Sequence, residues 1–240
     1  MPLPELSAIH NTYLSLSRIA HERYAGSLGG KLLLRSSFDP DGVATVLAAS
    51  LAGAASLCVD ADADRLRQGL RAGLCDFVVS HLDEALRILK NELRRSLPVS
   101  VGLTADPEHA LDAMIERGLA PDLLSAIAET QGRAFLEWGA IALSDAVRPD
   151  PSTSLVEWSV AADPARSMPR IARLASVSLD PTRGDTPARQ RWLAQAPRYL
   201  GRAFGQRQCL RMTGEEFASF LALVHAEIPA AAITLDGQKP

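Results

Sequence analysis

Along the first 143 residues, short uninterrupted apolar runs alternate with longer segments of helical periodicity. The runs are Lys31–Arg35, Ala55–Asp60, Phe77–Ser80, Val99–Leu103, Asp122–Ile127 and Ala140–Leu143. Between most of them lie segments with helical patterning: Val43–Ala55, Asp62–Ala72, Leu82–Leu93 and Asp106–Arg117. Residues 3–26 read as one or two amphipathic helices preceding the first run. Strands buried on both faces read as continuous apolar runs, and strands separated by ten to fifteen helical residues pair in parallel through right-handed crossovers. The expected fold is therefore α/β, a Rossmann-like, doubly wound, mostly parallel sheet with helices on both faces.

Past Arg148 the pattern loosens. Residues 149–154 and 180–187 are rich in Pro, Asp, Ser and Thr, and the stretch between them carries no assignable period. Regular patterning returns with a helix over Ala188–Phe204, a strand over Gln208–Met212, a helix over Glu215–Ala226 and a strand over Ala231–Leu235. The chain is read as a single domain over residues 1–240 with a less regular insertion at about 148–187, its tail adding one more strand-helix-strand unit to the same sheet.

Composition narrows the class of partner. Of the 240 residues, 47 % are apolar and 22 % charged, enough for a sizeable core. The formal net charge of −3 supplies no basic field for nucleic acid or anionic membrane, so neither is expected as a partner. No run of about eighteen uncharged apolar residues is present, and Met1–Leu16 carries Glu5 and His10 in place of an apolar signal segment. The odd count of cysteines, Cys58, Cys75 and Cys209, has no paired spacing and predicts free thiols in a reducing, cytoplasmic setting. The five histidines lack metal-ligand spacing, and four of them fall on helical segments as expected surface or boundary residues. Trp158 and Trp192 read as core, and Trp138 as packing a helix onto the sheet. Asp60, Asp62 and Asp64 alternate as cation ligands sometimes do, but Asp64 is better placed to favour a helix N-terminus.

In a doubly wound sheet the turn after the first strand is the natural ligand site. Here it reads Arg35 to Val43 and holds one glycine, Gly42, and two carboxylates, Asp39 and Asp41. A dinucleotide site needs several glycines there, so that backbone amides can approach a pyrophosphate. Asp60, closing the second strand, stands where such folds hold the adenosine ribose. The ribose half of a dinucleotide site is legible and the phosphate half is missing. Asp39–Gly42 reads more simply as a turn and helix cap.

The order Gly29-Gly30-Lys31-Leu32-Leu33-Leu34, Leu47-Ala48, Ala52-Gly53, then Val59-Asp60-Ala61-Asp62 with Arg65, resembles the NAD-binding core of urocanase (urocanate hydratase). Val99–Leu103, Glu116-Arg117-Gly118 and Pro121-Asp122 continue the resemblance, as do Arg191-Trp192, Cys209 and Gly214-Glu215 in the tail. The resemblance implies a lyase of histidine catabolism using NAD, a homodimer, and cofactor contacts at Asp60, Gly42 and Arg65. The departures fall on the chemistry. The family's Gly-Leu-Gly-Gly-Met-Gly-Gly run is replaced by Ser37–Val43. Its active-site tract with Asp and His is replaced by Ser125–Gly132, its Asp-Tyr-Gly-Asn-Asn tract by residues 144–148, and its Tyr-Gly-Glu-Arg by Thr213–Glu216. The expectation is a urocanase-like pseudoenzyme or binding module with no catalytic residues, no metal and no cofactor, partnered by itself and by a small molecule or protein. The alternative is a shortened lyase acting on a small imidazole or planar acid with NAD bound where the family site survives.

Overall fold

The computed structural model describes residues 2–143, 149–160, 163–228 and 233–237. The chain divides into two compact units, residues 1–147 and 148–240. Each has its own sheet.

The first unit follows the apolar runs closely. Its strands are β1 (Leu32–Ser36), β2 (Ala55–Asp60), β3 (Phe77–Val79), β4 (Ser100–Thr104), β5 (Leu123–Ser125) and β6 (Ile141–Ala142). Its helices are α1 (Leu6–Arg23), α2 (Pro40–Ala52), α3 (Ala63–Ala72), α4 (Leu82–Arg94), α5 (Pro107–Glu116) and α6 (Glu129–Glu137). The strands form one sheet in the order β3-β4-β2-β1-β5-β6, every pairing parallel. This is the doubly wound Rossmann-like fold expected from the alternation. Leu34, Leu57, Val59, Val101, Leu103 and Leu124 project from the sheet into one core cluster with Leu89 of α4 and Leu111 and Met114 of α5. Helix α2 is buried through nearly all its length because it lies against the sheet and α1 packs across it. That explains why its sequence is apolar on every side, where a helix covering a sheet alone would show one polar face.

Caps fix the helix boundaries. Asp39, Asp62 and Asp106 each accept backbone N–H groups at the starts of α2, α3 and α5. Gly53 and Gly73 end α2 and α3 in the left-handed conformation. The resemblance residues Lys31 and Asp122 have a structural task at the N-terminal edge of the sheet. The Asp122 carboxylate accepts the Leu32 N–H at 2.9 Å and pairs with the Lys31 ammonium at 3.0 Å, tying β1 to β5.

The second unit departs from expectation. The tail does not extend the parallel sheet. Strands β7 (Ser154–Val160), β8 (Arg207–Met212) and β9 (Ile233–Gly237) form a separate antiparallel sheet in the order β8-β7-β9. Residues 148–187 are not an insertion, since they supply the central strand β7 and the helix α7 (Pro164–Val177). Helices α8 (Thr186–Phe204) and α9 (Gly214–Glu227) pack on β8. β7 escaped the apolar-run reading because only one of its faces is buried, so its apolar residues alternate with polar ones. Pro164 and Pro169, at the start and inside of α7, disguised its period. Trp158 and Trp192 are core residues as expected, Trp192 donating its indole N–H to the Cys209 carbonyl at 2.7 Å. Trp138 is not packed onto the sheet: it is about half exposed at the end of α6, edge-on to Phe135. His10 is also a correction, lying fully buried in α1. All three thiols are free and buried, and burial pushes Cys75 up to about 12 and Cys58 and Cys209 well above the ordinary thiol range. Residues 144–148, where the resemblance places an active-site tract, and Ala231 and Ala232 of the expected last strand lie outside the described residues. No described helix is long and apolar enough to cross a membrane.

Candidate functional site

The strand order places a topological switch at β1. The chain leaves β1 for β2 on one side and later returns to β5 on the other. Ligands of open α/β sheets bind in the crevice at the carboxyl ends of the strands at such a point. A cavity of about 520 Å³ opens there, walled by α1, the first turns of α2, the end of β5 and Leu143. The floor of this crevice is Arg35, the penultimate residue of β1.

Arg35 is only 5 % exposed. Its guanidinium is held by four hydrogen bonds. Nη1 donates to Ser125 Oγ at 2.8 Å and to Thr45 Oγ1 at 3.4 Å, Nε to the Ser37 carbonyl at 3.4 Å, and Nη2 to Asp39 Oδ1 at 3.3 Å. Three of the four are long, and Asp39, the single counter-ion among the described residues, is partly solvated. A guanidinium has five N–H donors, so one has no partner among the described residues.

The turn between β1 and α2 is folded around this arginine. Ser37 adopts a left-handed φ of 70°, unusual for a residue with a Cβ. That conformation turns its carbonyl toward the Arg35 Nε and the Cys58 thiol. Gly42 is required by the same carbonyl: a Cβ at position 42 would overlap the Ser37 oxygen and crowd the Arg35 Nε. Across the crevice Ala126, following β5, also has a left-handed φ, of 48°. Both strands flanking the switch therefore end in a strained residue.

The phosphate side of the turn is filled by the protein's own groups. Asp39 accepts the Gly42 N–H at 2.7 Å, Pro40 has no N–H, and the Val43 N–H reaches the Asp39 carbonyl at 2.9 Å. Burial alone would raise the Asp39 pKa, but the Gly42 amide and the Arg35 charge outweigh it and hold the carboxyl below its ordinary value. The Phe38 ring is fully buried against α3, where a Cβ on Gly69 would overlap it.

Asp60, the residue placed for a ribose, is turned inward. It is 5 % exposed and accepts the Phe38 N–H at 2.6 Å, the Asp62 N–H at 2.8 Å and Arg65 Nη1 at 2.9 Å. Arg65 also reaches Asp62, at 3.4 Å. Asp60 and Gly42 thus both hold the shape of the turn, and Arg65 on α3 holds Asp60. Asp62 caps α3 and shares Arg65 with Asp60, while Asp64 pairs with Arg67, so the acidic triplet is taken up by caps and ion pairs. Among the described residues no cluster of three or more His, Cys, Asp or Glu side chains could hold a metal.

A profile of the urocanase Rossmann-like domain matches residues 7–131, from α1 into α6 and so across the whole crevice except Leu143. The chain belongs to the urocanase family. The match ends before the second unit. The tail residues that contributed to the resemblance, Arg191, Trp192, Cys209 and Gly214–Glu215, fall outside it. Sequence reasoning located the turn and its carboxylates, but it missed Arg35 as a site residue. The available signal was a single charge inside a buried strand, directly after Leu32–Leu34.

Proposed function

We propose that this urocanase-family chain is a binding module that neither holds NAD nor hydrates urocanate. The observation that carries the reading is the state of the turn after β1. A dinucleotide requires free amides at the α2 N-terminus for its pyrophosphate and a free carboxylate at the end of β2 for its ribose. The Asp39 carboxylate occupies the place of the first, and the Asp60 carboxylate is engaged by Phe38, Asp62 and Arg65. The residues present do not fit the cofactor. A phosphate approaching Asp39 would meet like charge, and at about 5 Å with an effective dielectric near 20 each such pair costs about 3 kcal/mol. No residue of this chain is assigned a catalytic step.

The test is a urocanate assay on the purified full chain with and without added NAD. Urocanate absorbance is expected to persist at the rate of the protein-free control. Turnover above that background would remove the reading.

A further inference from the structure

We propose that the crevice above Arg35 is a receptor site for a small zwitterion, a molecule carrying a carboxylate and an ammonium group a few bonds apart, of the α-amino-acid type. The inference rests on the crevice being a binding site and specifies what it binds.

Two opposite charges face this one cavity. On the floor, Arg35 offers an uncommitted N–H and three weak bonds that a carboxylate can replace. A bidentate carboxylate is the partner a guanidinium fork fits best. On the wall, Asp41 in the first turn of α2 is exposed, and no hydrogen bond or ion pair engages its carboxylate among the described residues. Asp39, the other acid of the turn, is already committed to the Gly42 amide and to Arg35. A simple anion would gain Arg35 but be repelled by Asp41. A simple cation would gain Asp41 but meet Arg35. A zwitterion satisfies both, and the opposed charges select its orientation.

The remaining lining fits a compact polar solute. Thr45 and Ser125 present hydroxyls beside the guanidinium, and Thr12 and Asn11 present polar groups from α1. Between them Ala44 and Ala126 leave room without adding bulk. A cavity of about 520 Å³ admits a molecule well beyond a few waters, within the size range of small-molecule sites. Because Arg35 is held by the sheet and by Ser125, the site is formed before the ligand arrives, which limits the ordering cost of binding.

Isothermal titration of the full chain with glycine, L-alanine, L-serine, L-glutamine and 4-aminobutyrate, each to about 10 mM, tests this directly, with acetate and ethylamine as half-ligands. At least one zwitterion is expected to bind with a Kd below about 1 mM, at least tenfold tighter than either half-ligand; tenfold corresponds to about 1.4 kcal/mol. Asp41→Asn, an exposed change outside the core, is expected to lose about tenfold for the zwitterion while leaving acetate unchanged or improved. Arg35→Lys is expected to lose the bidentate contact and weaken both. No binding by any zwitterion at 10 mM, acetate binding equal to the best zwitterion, or indifference to Asp41→Asn would each overturn the proposal. If Arg35→Lys fails to fold, Asp41→Asn still decides. Zwitterion binding in a protein that also hydrates urocanate would keep this inference and remove the reading it rests on; inert titrations in a protein without hydratase activity would do the reverse.

Discussion

Two buried arginines, one in each unit, have opposite fates. Arg189 of α8 is fully buried, with both terminal nitrogens bonded and Nε left without a hydrogen-bond partner among the described residues. Its guanidinium makes paired bonds to Glu216 at 2.7 and 2.9 Å and further bonds to Thr186 Oγ1 and the Arg211 carbonyl, with Asp185 at 3.1 Å. Glu216 in turn accepts the N–H groups of Asp180 and Thr213, closing a capping box at the start of α9. Arg35 has a similar burial but mostly long bonds, a half-solvated counter-ion and a cavity beside it. A charge in a closed network is a structural clamp. A charge at the floor of a crevice, held mostly by long bonds and beside a half-solvated counter-ion, is the one we propose for recognition.

The largest expected effect tests the clamp. Arg189→Met leaves the Glu216 carboxylate buried without its charge partner and should destabilise the second unit by about 3–5 kcal/mol, read by urea unfolding. A loss under 1 kcal/mol would erase the distinction between the two arginines. Gly42→Ala comes next: pushing a methyl into the Ser37 carbonyl should cost about 1–3 kcal/mol and displace the turn around Arg35. Arg35→Met is expected to cost less than Arg189→Met, about 1–2 kcal/mol, because Asp39, Thr45 and Ser125 can turn to water in the cavity. The smallest is Asp39→Ala, which removes the α2 cap for about 1 kcal/mol.

Acid separates the two networks further. Burial would raise Glu216, but the bonds from Arg189 and the Thr213 and Asp180 amides outweigh it, so its pKa lies below the ordinary 4.5. Asp39 is likewise held below 3.8. A carboxylate depressed in the folded state contributes stability above its unfolded pKa and loses it as pH falls through the folded one. Stability should therefore be flat above about pH 5.5 and decline below about pH 4.5. In Glu216→Gln that decline should be shallower and begin at lower pH; an unchanged profile would detach Glu216 from it.

What was legible in the sequence follows the same physics. The first unit could be read because parallel strands covered on both faces leave apolar runs that nothing else mimics, as in Leu32–Leu34 and Leu57–Val59. In the second, α8, β8 and α9 were legible but β7 and α7 were not, because an antiparallel strand with one wet face and a helix containing Pro169 both look like loop. The turn at Asp39–Gly42 announced itself by composition. The inward rotation of Asp60 did not, since nothing in the sequence distinguishes a carboxylate offered to a ribose from one taken by Phe38 and Arg65. Arg35 and Ser125 lie 90 positions apart, and only strand pairing brings them together.

The most direct test of the central claim is isothermal titration of the unmodified protein with NAD. The closed turn predicts no measurable binding at millimolar cofactor. Asp39→Gly together with Asp41→Gly should recover little, because Asp60 stays committed to the Phe38 amide and Arg65. A Kd for NAD in the low micromolar range would show that Asp39 and Asp60 yield to the cofactor, and the account of this domain as a closed, NAD-free member of its family would be wrong.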